Sequence, residues 1–308
     1  MGREIDQVEI LHRLRRPEGP VDVVLDTDTY NEIDDQFALA YLILSADRLR
    51  LKAIYAAPFH NEKSTGPADG MEKSYQEILR VLTLMKREDL RDIVLRGSTS
   101  YLKDERTPVD SPAARDLARR AMAYTPEKPL YVIAIGAITN VASALLMAPD
   151  IRDRIVLVWL GGHALDWPDN REFNLYQDVA GARIVFGCGL ALVSLPCMGV
   201  VSAFTTSGPE LEHHLRGRNA LCDYLVDVTT REALNCGGNT AWTRPIWDVT
   251  AVGWLLDGRF VEDRLEHAPI PEYDHRFARD RTRHLYRYVY HIHRDALFED
   301  LFLKLQGH

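Results

Sequence analysis

The sequence lacks the features that mark secreted, membrane-spanning or disulfide-stapled proteins. Its 308 residues include only four cysteines, and no two of them form a CxxC pair, so neither a disulfide framework nor a zinc ribbon is indicated. No stretch reaches the roughly 18 uninterrupted apolar residues of a membrane span. The first 20 residues are charged where a secretory signal would be apolar. These absences predict a soluble, cytoplasmic protein with buried, inert thiols.

Excess positive charge is also missing. The chain has 37 Lys and Arg against 45 Asp and Glu, a net charge of −8, which argues against a nucleic acid or an anionic membrane as partner. The basic, aromatic segment 274–294 is interpreted as part of an alternating strand and a closing helix rather than as a nucleic-acid surface. Without a repeat or linker, the prediction is one domain over 1–308, with 1–20 as an N-terminal extension.

What the sequence does contain is an alternation of strands and helices. Short apolar runs predict buried strands, and longer apolar or amphipathic runs predict helices. This order predicts an α/β fold: a single open, mostly parallel twisted sheet with helices on both faces, as in Rossmann-like proteins. The predicted strands are 21–25, 51–56, 93–95, 130–135, 155–160, 190–195 and 285–292, and the predicted helices are 36–44, 71–85, 113–123, 141–147 and 296–305.

The densest group of reactive side chains follows the first predicted strand. Five carboxylates fall within ten residues, and no Lys or Arg occurs between Arg16 and Arg48. The five are Asp26, Asp28, Glu32, Asp34 and Asp35. Helix capping would account for the last two while the others face water. It does not account for five acids at the carboxyl end of a buried strand, where open α/β sheets bind ligands.

Carboxylates crowded in this way raise each other's pKa unless a cation is bound. The segment offers oxygen ligands and no His or Cys. Such a set predicts a hard divalent ion, calcium or magnesium, rather than zinc.

Four ordered segments resemble the calcium-dependent nucleoside hydrolases (nucleoside N-ribohydrolases). The DxD…DD element, GAITNVA, LGG with REFN, and PIWDVTAVGWLLD match at 26–35, 136–142, 160–174 and 245–257. The closing strand and helix also match, so the resemblance runs from 21 to 305. It implies the nucleoside hydrolase fold and hydrolysis of a ribonucleoside to ribose and free base.

The resemblance also implies roles for individual residues. It implies four calcium ligands: Asp28, Asp35, the main-chain carbonyl of Thr139, and Asp248. Asp28 would take a proton from a water acidified by the metal. Four residues would hydrogen-bond the ribose: Asp34, Glu172, Asn174 and, as a looser match, Asn61. The carboxylates would stabilise an oxocarbenium-like sugar.

Several of these residues have plainer interpretations. Asp248 and Thr139 stand where helices begin and would serve as caps. Glu172 and Asn174 would be ordinary loop residues, and the two glycines at 161–162 would end a strand.

Two departures from the family pattern concern the first loop and the base. The loop after Asp28 is longer than usual, so Asn31 and Glu32 either join the metal or sugar contacts or only lengthen the turn. Trp247 stands where many members carry a histidine that is a candidate acid for the departing base, and an indole N–H cannot take that role at physiological pH. Further candidates for this side are His60 and His163 as acids, Trp167, Trp242 and Trp247 as stacking faces, and Asp166 and Asn170 as 5′-hydroxyl contacts.

Two other functions stay open from the sequence. A haloacid-dehalogenase-type phosphatase also places DxD after a strand and uses Mg²⁺, with Asp26 as nucleophile, but its motif has Thr or Val where this chain has Tyr30. A nucleoside- or ribose-binding protein without turnover would keep the same pocket. The expected partner is a small-molecule nucleoside, and the resemblance implies a homodimer or homotetramer.

Overall fold

The structure, a computed structural model, describes residues 6–235, 237 and 241–308. Within these ranges the strands are β1 (Val21–Thr27), β2 (Leu49–Ala56), β3 (Val94–Arg96), β4 (Leu130–Ala134), β5 (Ile155–Leu160), β6 (Ala191–Leu195), β7 (Thr205–Ser207), β8 (Thr243–Pro245), β9 (Val261–His267), β10 (Ile270–Pro271), β11 (Phe277–Ala278) and β12 (Leu285–Ile292). The α-helices are α1 (Gln7–Arg13), α2 (Asp34–Leu44), α3 (Pro67–Leu84), α4 (Pro112–Ala121), α5 (Thr139–Met147), α6 (Phe173–Gln177), α7 (Val179–Gly187), α8 (Gly208–Leu215), α9 (Ala220–Asn235), α10 (Val249–Leu256) and α11 (Arg294–Gln306). Short 3₁₀ helices span Glu88–Ile93, Pro149–Asp153 and Val201–Ala203.

Eight of these strands form one sheet in the order β3-β2-β1-β4-β5-β6-β12-β9. Neighbouring strands are parallel except for the antiparallel pair β12 and β9 at one edge. The mostly parallel open sheet predicted from the sequence is confirmed. From β1 the chain order runs outward in one direction through β2 and β3 and in the other through β4, β5 and β6. The carboxyl ends of β1 and β4 therefore flank a topological switch point, where such sheets bind ligands.

Both faces of the sheet are covered by apolar side chains and helices. Alternate residues of β1 enter opposite layers: Val23 and Leu25 pack in one apolar cluster, and Val24 in the other. The first cluster includes buried residues of α2, α10 and α11, and the second those of α4, α5 and α7. Because such strands are buried on both faces, nearly all of their residues are apolar, which explains the continuous apolar runs in the sequence.

The element bounds agree in some places and differ in others. The strands predicted at 155–160 and 285–292 are β5 and β12. The predicted helix 71–85 begins earlier, at Pro67, because proline fits the first turn of a helix. The predicted N-terminal extension, residues 1–20, includes α1, which buries Ile10 in the first apolar cluster and is capped by Asp6.

No helix in the described ranges has both the length and the apolar character needed to cross a bilayer. Among the cysteines, Cys188, Cys197 and Cys222 are free thiols. Burial raises the pKa of each of these thiols, as expected of inert groups. Cys236 lies outside the described residues.

Candidate active site

A cavity of about 180 Å³ opens beside the carboxyl ends of β1 and β4. Six of its lining residues are acids: Asp28, Glu32, Asp34, Asp35, Glu172 and Asp248. The remaining wall includes His163, Arg171, Phe173, Met198 and Trp247. The fold thus brings together acids from the first loop, from the middle of the chain and from the segment before α10.

Helix starts aim three of the acids into the cavity. Asp34 and Asp35 lie in the first turn of α2, whose N-cap is Ile33, so neither acid is the capping residue considered from the sequence. Asp248 does occupy the N-cap position of α10, but its side chain makes no capping hydrogen bond. Its backbone N–H instead donates to Asp34 Oδ2 at 3.3 Å. Asp34, Asp35 and Asp248 each place a carboxylate oxygen within 4.8 Å of the other two.

Asp28 completes the buried acid group directly after β1. Its side chain is 1% exposed, and Oδ2 has no hydrogen-bond partner among the described residues. Its carbonyl accepts from the N–H of Asn31 at 2.7 Å, which turns the chain toward α2. Ile135 directly follows β4, the neighbour of β1. Its N–H donates to the carbonyl of Asp26 at 2.8 Å, and it also lines the cavity.

The electrostatics of this group are unbalanced without a cation. Burial raises the pKa of Asp28, Asp34 and Asp248 well above the ordinary range, and repulsion from the neighbouring carboxylates adds to it. Burial also raises the pKa of Asp35 to about 7, against a hydrogen bond from the Thr27 hydroxyl. Within the described ranges, no Lys or Arg forms an ion pair with these four acids. The site therefore has the donors and the charge for a hard cation.

Glu172 and Asn174 close the cavity on the side of β5. Glu172 is the N-cap of α6, where it accepts from the N–H groups of Asn174 and Leu175 at 2.9 Å. Its Oε2 also accepts from Gly162 N–H at 2.7 Å, and Gly162 has φ +81°, a conformation that favours glycine. The Asn174 side chain donates to the carbonyl of Leu160 at 3.0 Å. Glu172 therefore caps α6 and lines the cavity at the same time, and it is not the ordinary loop residue of the plainer interpretation.

The non-acid part of the lining offers a different kind of group. His163 Nδ1 accepts from the N–H of Met198 at 3.3 Å, which places the proton of the neutral ring on Nε2. Burial lowers the pKa of His163, so the ring is neutral at pH 7. Trp247 is half-buried and hydrogen-bonds Glu32. Burial raises the pKa of Glu32, although the positive charge of Arg244 opposes it.

Eight candidates from the sequence lie outside the cavity lining: Asp26, His60, Asn61, Thr139, Asp166, Trp167, Asn170 and Trp242. Two of these hold the site from behind. Asp26 accepts from Asn140 Nδ2 at 2.7 Å, which ties β1 to α5. The Thr139 hydroxyl donates to Asp178 Oδ2 at 2.5 Å, and Thr139 is the first residue of α5.

The others touch the site indirectly or face away from it. Asn61 donates to the Oδ1 of cavity residue Asn31 at 2.7 Å, and Asn170 accepts from the N–H of His163 at 2.8 Å. His60 and Asp166 are exposed. Two tryptophans suggested as stacking faces also lie elsewhere: Trp242 packs against the core, and Trp167 is 40% exposed outside the lining.

Some cavity residues were not predicted. These are Ile135, Leu160, Arg171, Phe173, Cys197 and Met198. Arg171 and Phe173 stand inside the REFN segment, so its match to the family was a usable signal. Leu160 stands in the matched LGG segment in the same way. Ile135, Cys197 and Met198 are apolar or thiol side chains beside strand ends, and only the strand order could have revealed them.

A doubly wound α/β sheet with an acid-lined cavity at its switch point is typical of proteins that bind a small polar ligand there, and the buried acids are donors suited to a metal ion. The chain belongs to the inosine-uridine preferring nucleoside hydrolase family, whose model matches residues 23–295. With this membership, the predicted activity is confirmed: the protein is a ribonucleoside hydrolase that cleaves the N-glycosidic bond.

One relative of similar sequence and two solved structures of the same fold illustrate the similarity. The pyrimidine-specific ribonucleoside hydrolase RihA of Salmonella paratyphi A is 29% identical over 262 residues, which cover 76% of this chain and 79% of that protein. A plant nucleoside hydrolase, PpNRh1, shares the fold with a TM-score of 0.75 at 18% identity, covering 94% of this chain and all 100% of that one. A purine-preferring ribonucleoside hydrolase from Gardnerella vaginalis has a TM-score of 0.71 at 19% identity, covering 93% and 98%.

Proposed function

We propose that this ribonucleoside hydrolase uses calcium as its cofactor and Asp28 as its general base. The observation that carries the proposal is the Oδ2 atom of Asp28, which is buried and without a hydrogen-bond partner among the described residues. It lies in a cavity shared with Asp34, Asp35 and Asp248. An ionised carboxylate in such a place is costly unless a cation accompanies it.

The donors present fit a hard ion. Asp28, Asp35 and Asp248 supply carboxylate oxygens from three separate segments. The backbone ligand that the resemblance implied for Thr139 fits Ile135 better, because Ile135 lines the cavity and Thr139 does not. As the first residue of α5, Thr139 also has its carbonyl directed along the helix, toward an intrahelical hydrogen bond. Calcium, when bound, supplies the positive charge that acidifies a water and attracts the ribose hydroxyls.

The chain's own residues perform the remaining tasks. Asp28 accepts the proton of the attacking water as the bond to the base breaks. Asp34 and Asn174 line the cavity where they can hydrogen-bond the sugar, while Glu172 holds the turn beside them through three backbone N–H groups. The sugar becomes oxocarbenium-like in the transition state, and the fixed carboxylates stabilise its positive charge.

The base occupies the wall formed by Trp247, Phe173, Met198 and His163. The half-buried indole of Trp247 offers a face for stacking on a planar base. His163 presents a neutral Nε2–H as a hydrogen-bond donor to the base, in accord with its lowered pKa. Of the two histidines considered as proton donors, only His163 lines the cavity.

A reducing-sugar assay over purine, pyrimidine and modified nucleosides tests the proposal. We expect ribose release with calcium present, its loss after treatment with a chelator, and its recovery when calcium is restored. Tight ribose binding without release from any nucleoside would favour the binding-protein alternative instead. Full activity after chelation would contradict the role of calcium.

The location and assembly implied by the resemblance are also part of the proposal. We expect a homodimer or homotetramer in the cytoplasm. Sedimentation equilibrium measures the mass of the assembly, and a monomer at micromolar concentration would contradict it.

A further inference from the structure

A second group of metal-ligating side chains lies at the far edge of the main sheet. Glu262 of β9, His291 of β12 and His293, just after β12, each place one ligand atom within 4.8 Å of the other two. None of the three lines the nucleoside cavity. The proposed calcium site offers oxygen ligands only, whereas this group pairs one carboxylate with two imidazoles.

The register of the edge strands brings these residues together. β9 and β12 are antiparallel, and His291 is paired with Glu262 across a register shift that follows Val289. Residues directly opposite each other in an antiparallel pair project from the same face. His293 lies two residues further on, and its backbone N–H donates to the carbonyl of Phe260 at 2.8 Å. That bond fixes the chain at the point where β12 leads into α11.

The shifted residue orients the carboxylate. Tyr290 lies within the register shift, and its hydroxyl donates to Glu262 Oε2 at 2.6 Å. The other oxygen, Oε1, is 2.9 Å from His293 Nε2. The rings of His291 and His293 have centroids 4.8 Å apart. Hydrogen bonds that fix a ligand from behind, like the one from Tyr290, are typical of metal sites.

We propose that Glu262, His291 and His293 bind a borderline divalent ion, with Zn²⁺ as the best match. Two imidazole nitrogens and a carboxylate, with water in the fourth position, form a common zinc ligand set. Ligands at about 2.1 Å in a tetrahedron are about 3.4 Å apart. Since the three ligand atoms lie within 4.8 Å of one another, no pair needs to close by more than about 1.4 Å. Glu262 and His291 are exposed and His293 is half-buried, which leaves them room to do so. The bound ion would tie the edge strand β9 to β12 and to the start of α11.

Zinc titration of the untagged full chain tests the site. Excess calcium is kept present to occupy the hard-oxygen cavity, and zinc is delivered against a chromophoric competitor at pH 7.5. We expect one Zn²⁺ per chain with micromolar or tighter affinity and a rise in the melting temperature. His291→Ala and His293→Ala should each weaken zinc binding at least tenfold and abolish the rise. Ribose release should be unchanged in both.

His213→Ala is the matched control. His213 is also exposed and stands 4.8 Å, centroid to centroid, from a second histidine, His214, in the same edge-on geometry. Zinc binding should be unchanged in this variant. Cobalt added in place of zinc should show a visible spectrum with imidazole ligation that is lost in His293→Ala. Zinc affinity equal to wild type in both cluster variants, or no binding by the wild type at micromolar zinc, would overturn the proposal.

Discussion

The acids and the other lining residues of the nucleoside cavity differ in how far they are buried and held in place. Four of the acids are at most 3% exposed and are held by strand and helix ends: Asp28, Asp34, Asp35 and Asp248. In the non-acid part of the lining, Trp247 is half-buried and Arg171 is exposed. Groups that must hold a cation and move a proton need fixed positions, whereas a base can be held by side chains that adjust. Under the proposed function, the acids carry out the reaction and the non-acid part of the lining sets which base is accepted.

The largest effect is expected from Asp28→Asn. The substitution removes the proton acceptor and one ligand charge, so kcat should fall by about 10³-fold or more. Steady-state ribose release at saturating calcium measures it, and circular dichroism checks the fold. Asp110→Asn, in an exposed ion pair with Arg115, should retain wild-type kcat. Near-normal turnover in Asp28→Asn would show that another group activates the water.

The next effect concerns the stability of the metal-free protein. Burial raises the pKa of Asp26 and of Asp35 to about 7, against about 4 for an unfolded chain. Between these values the native state binds more protons than the unfolded state, so the free energy of unfolding falls as pH rises from about 4 to about 7. Urea unfolding in chelator should show a loss on the order of a few kcal/mol, and calcium should restore part of it.

A pH trend of the opposite sign in chelator would contradict that account. It would mean that the acids are already paired with cations of the protein. Calcium should restore the contribution of Asp35, a proposed ligand, and leave that of Asp26, which lies behind the cavity.

A smaller effect, on KM, is expected in the non-acid part of the lining. Trp247→Ala removes the proposed stacking face, so KM should rise about tenfold, equivalent to about 1.4 kcal/mol, with a lesser change in kcat. Trp247→Phe should keep most of the affinity. Tyr273→Ala, at a 57% exposed aromatic residue outside the cavity, serves as control. A fall in kcat with unchanged KM would place Trp247 with the acids instead.

The sequence predicted the fold where one physical signal dominated. β5 and β12 match their predicted bounds because their apolar or alternating runs are uninterrupted. β1 extends past its predicted end because Asp26 and Thr27 continue the strand although they are polar. α1, α8 and α9 were missed because charged residues interrupt their apolar faces.

The acids of the site could be predicted from the sequence, whereas several of the other lining residues could not. Asp28, Asp34 and Asp35 were predicted because they stand close together in sequence after a buried strand, and Asp248 followed from the resemblance. Cys197 and Met198 lie at the cavity because β6 ends beside it. Their position follows from the strand order, and an apolar or thiol side chain alone does not indicate a binding site. A backbone contribution from Ile135 leaves no side-chain signal at all.

The smallest effect is expected at Thr139. Thr139→Val removes the hydroxyl that donates to Asp178, which should cost about 1 kcal/mol of stability while turnover stays near wild type. Thr282→Val, at an exposed position, is the control. Because the variant keeps its carbonyl, carbonyl ¹³C labelling completes the test: calcium should shift the Ile135 signal and leave Thr139 unchanged. A calcium-dependent shift of the Thr139 signal alone would show that the carbonyl of Thr139, and not that of Ile135, is the backbone ligand.

The central claim is that acids from distant parts of the chain converge on one hard ion. Calcium-binding isotherms of the wild type and of Asp248→Asn test it most directly, because Asp248 comes from the far end of the sequence. We expect one calcium per chain in the wild type and at least a tenfold weaker affinity in the variant. Equal affinity in the two proteins, or no calcium bound by the wild type, would contradict the account.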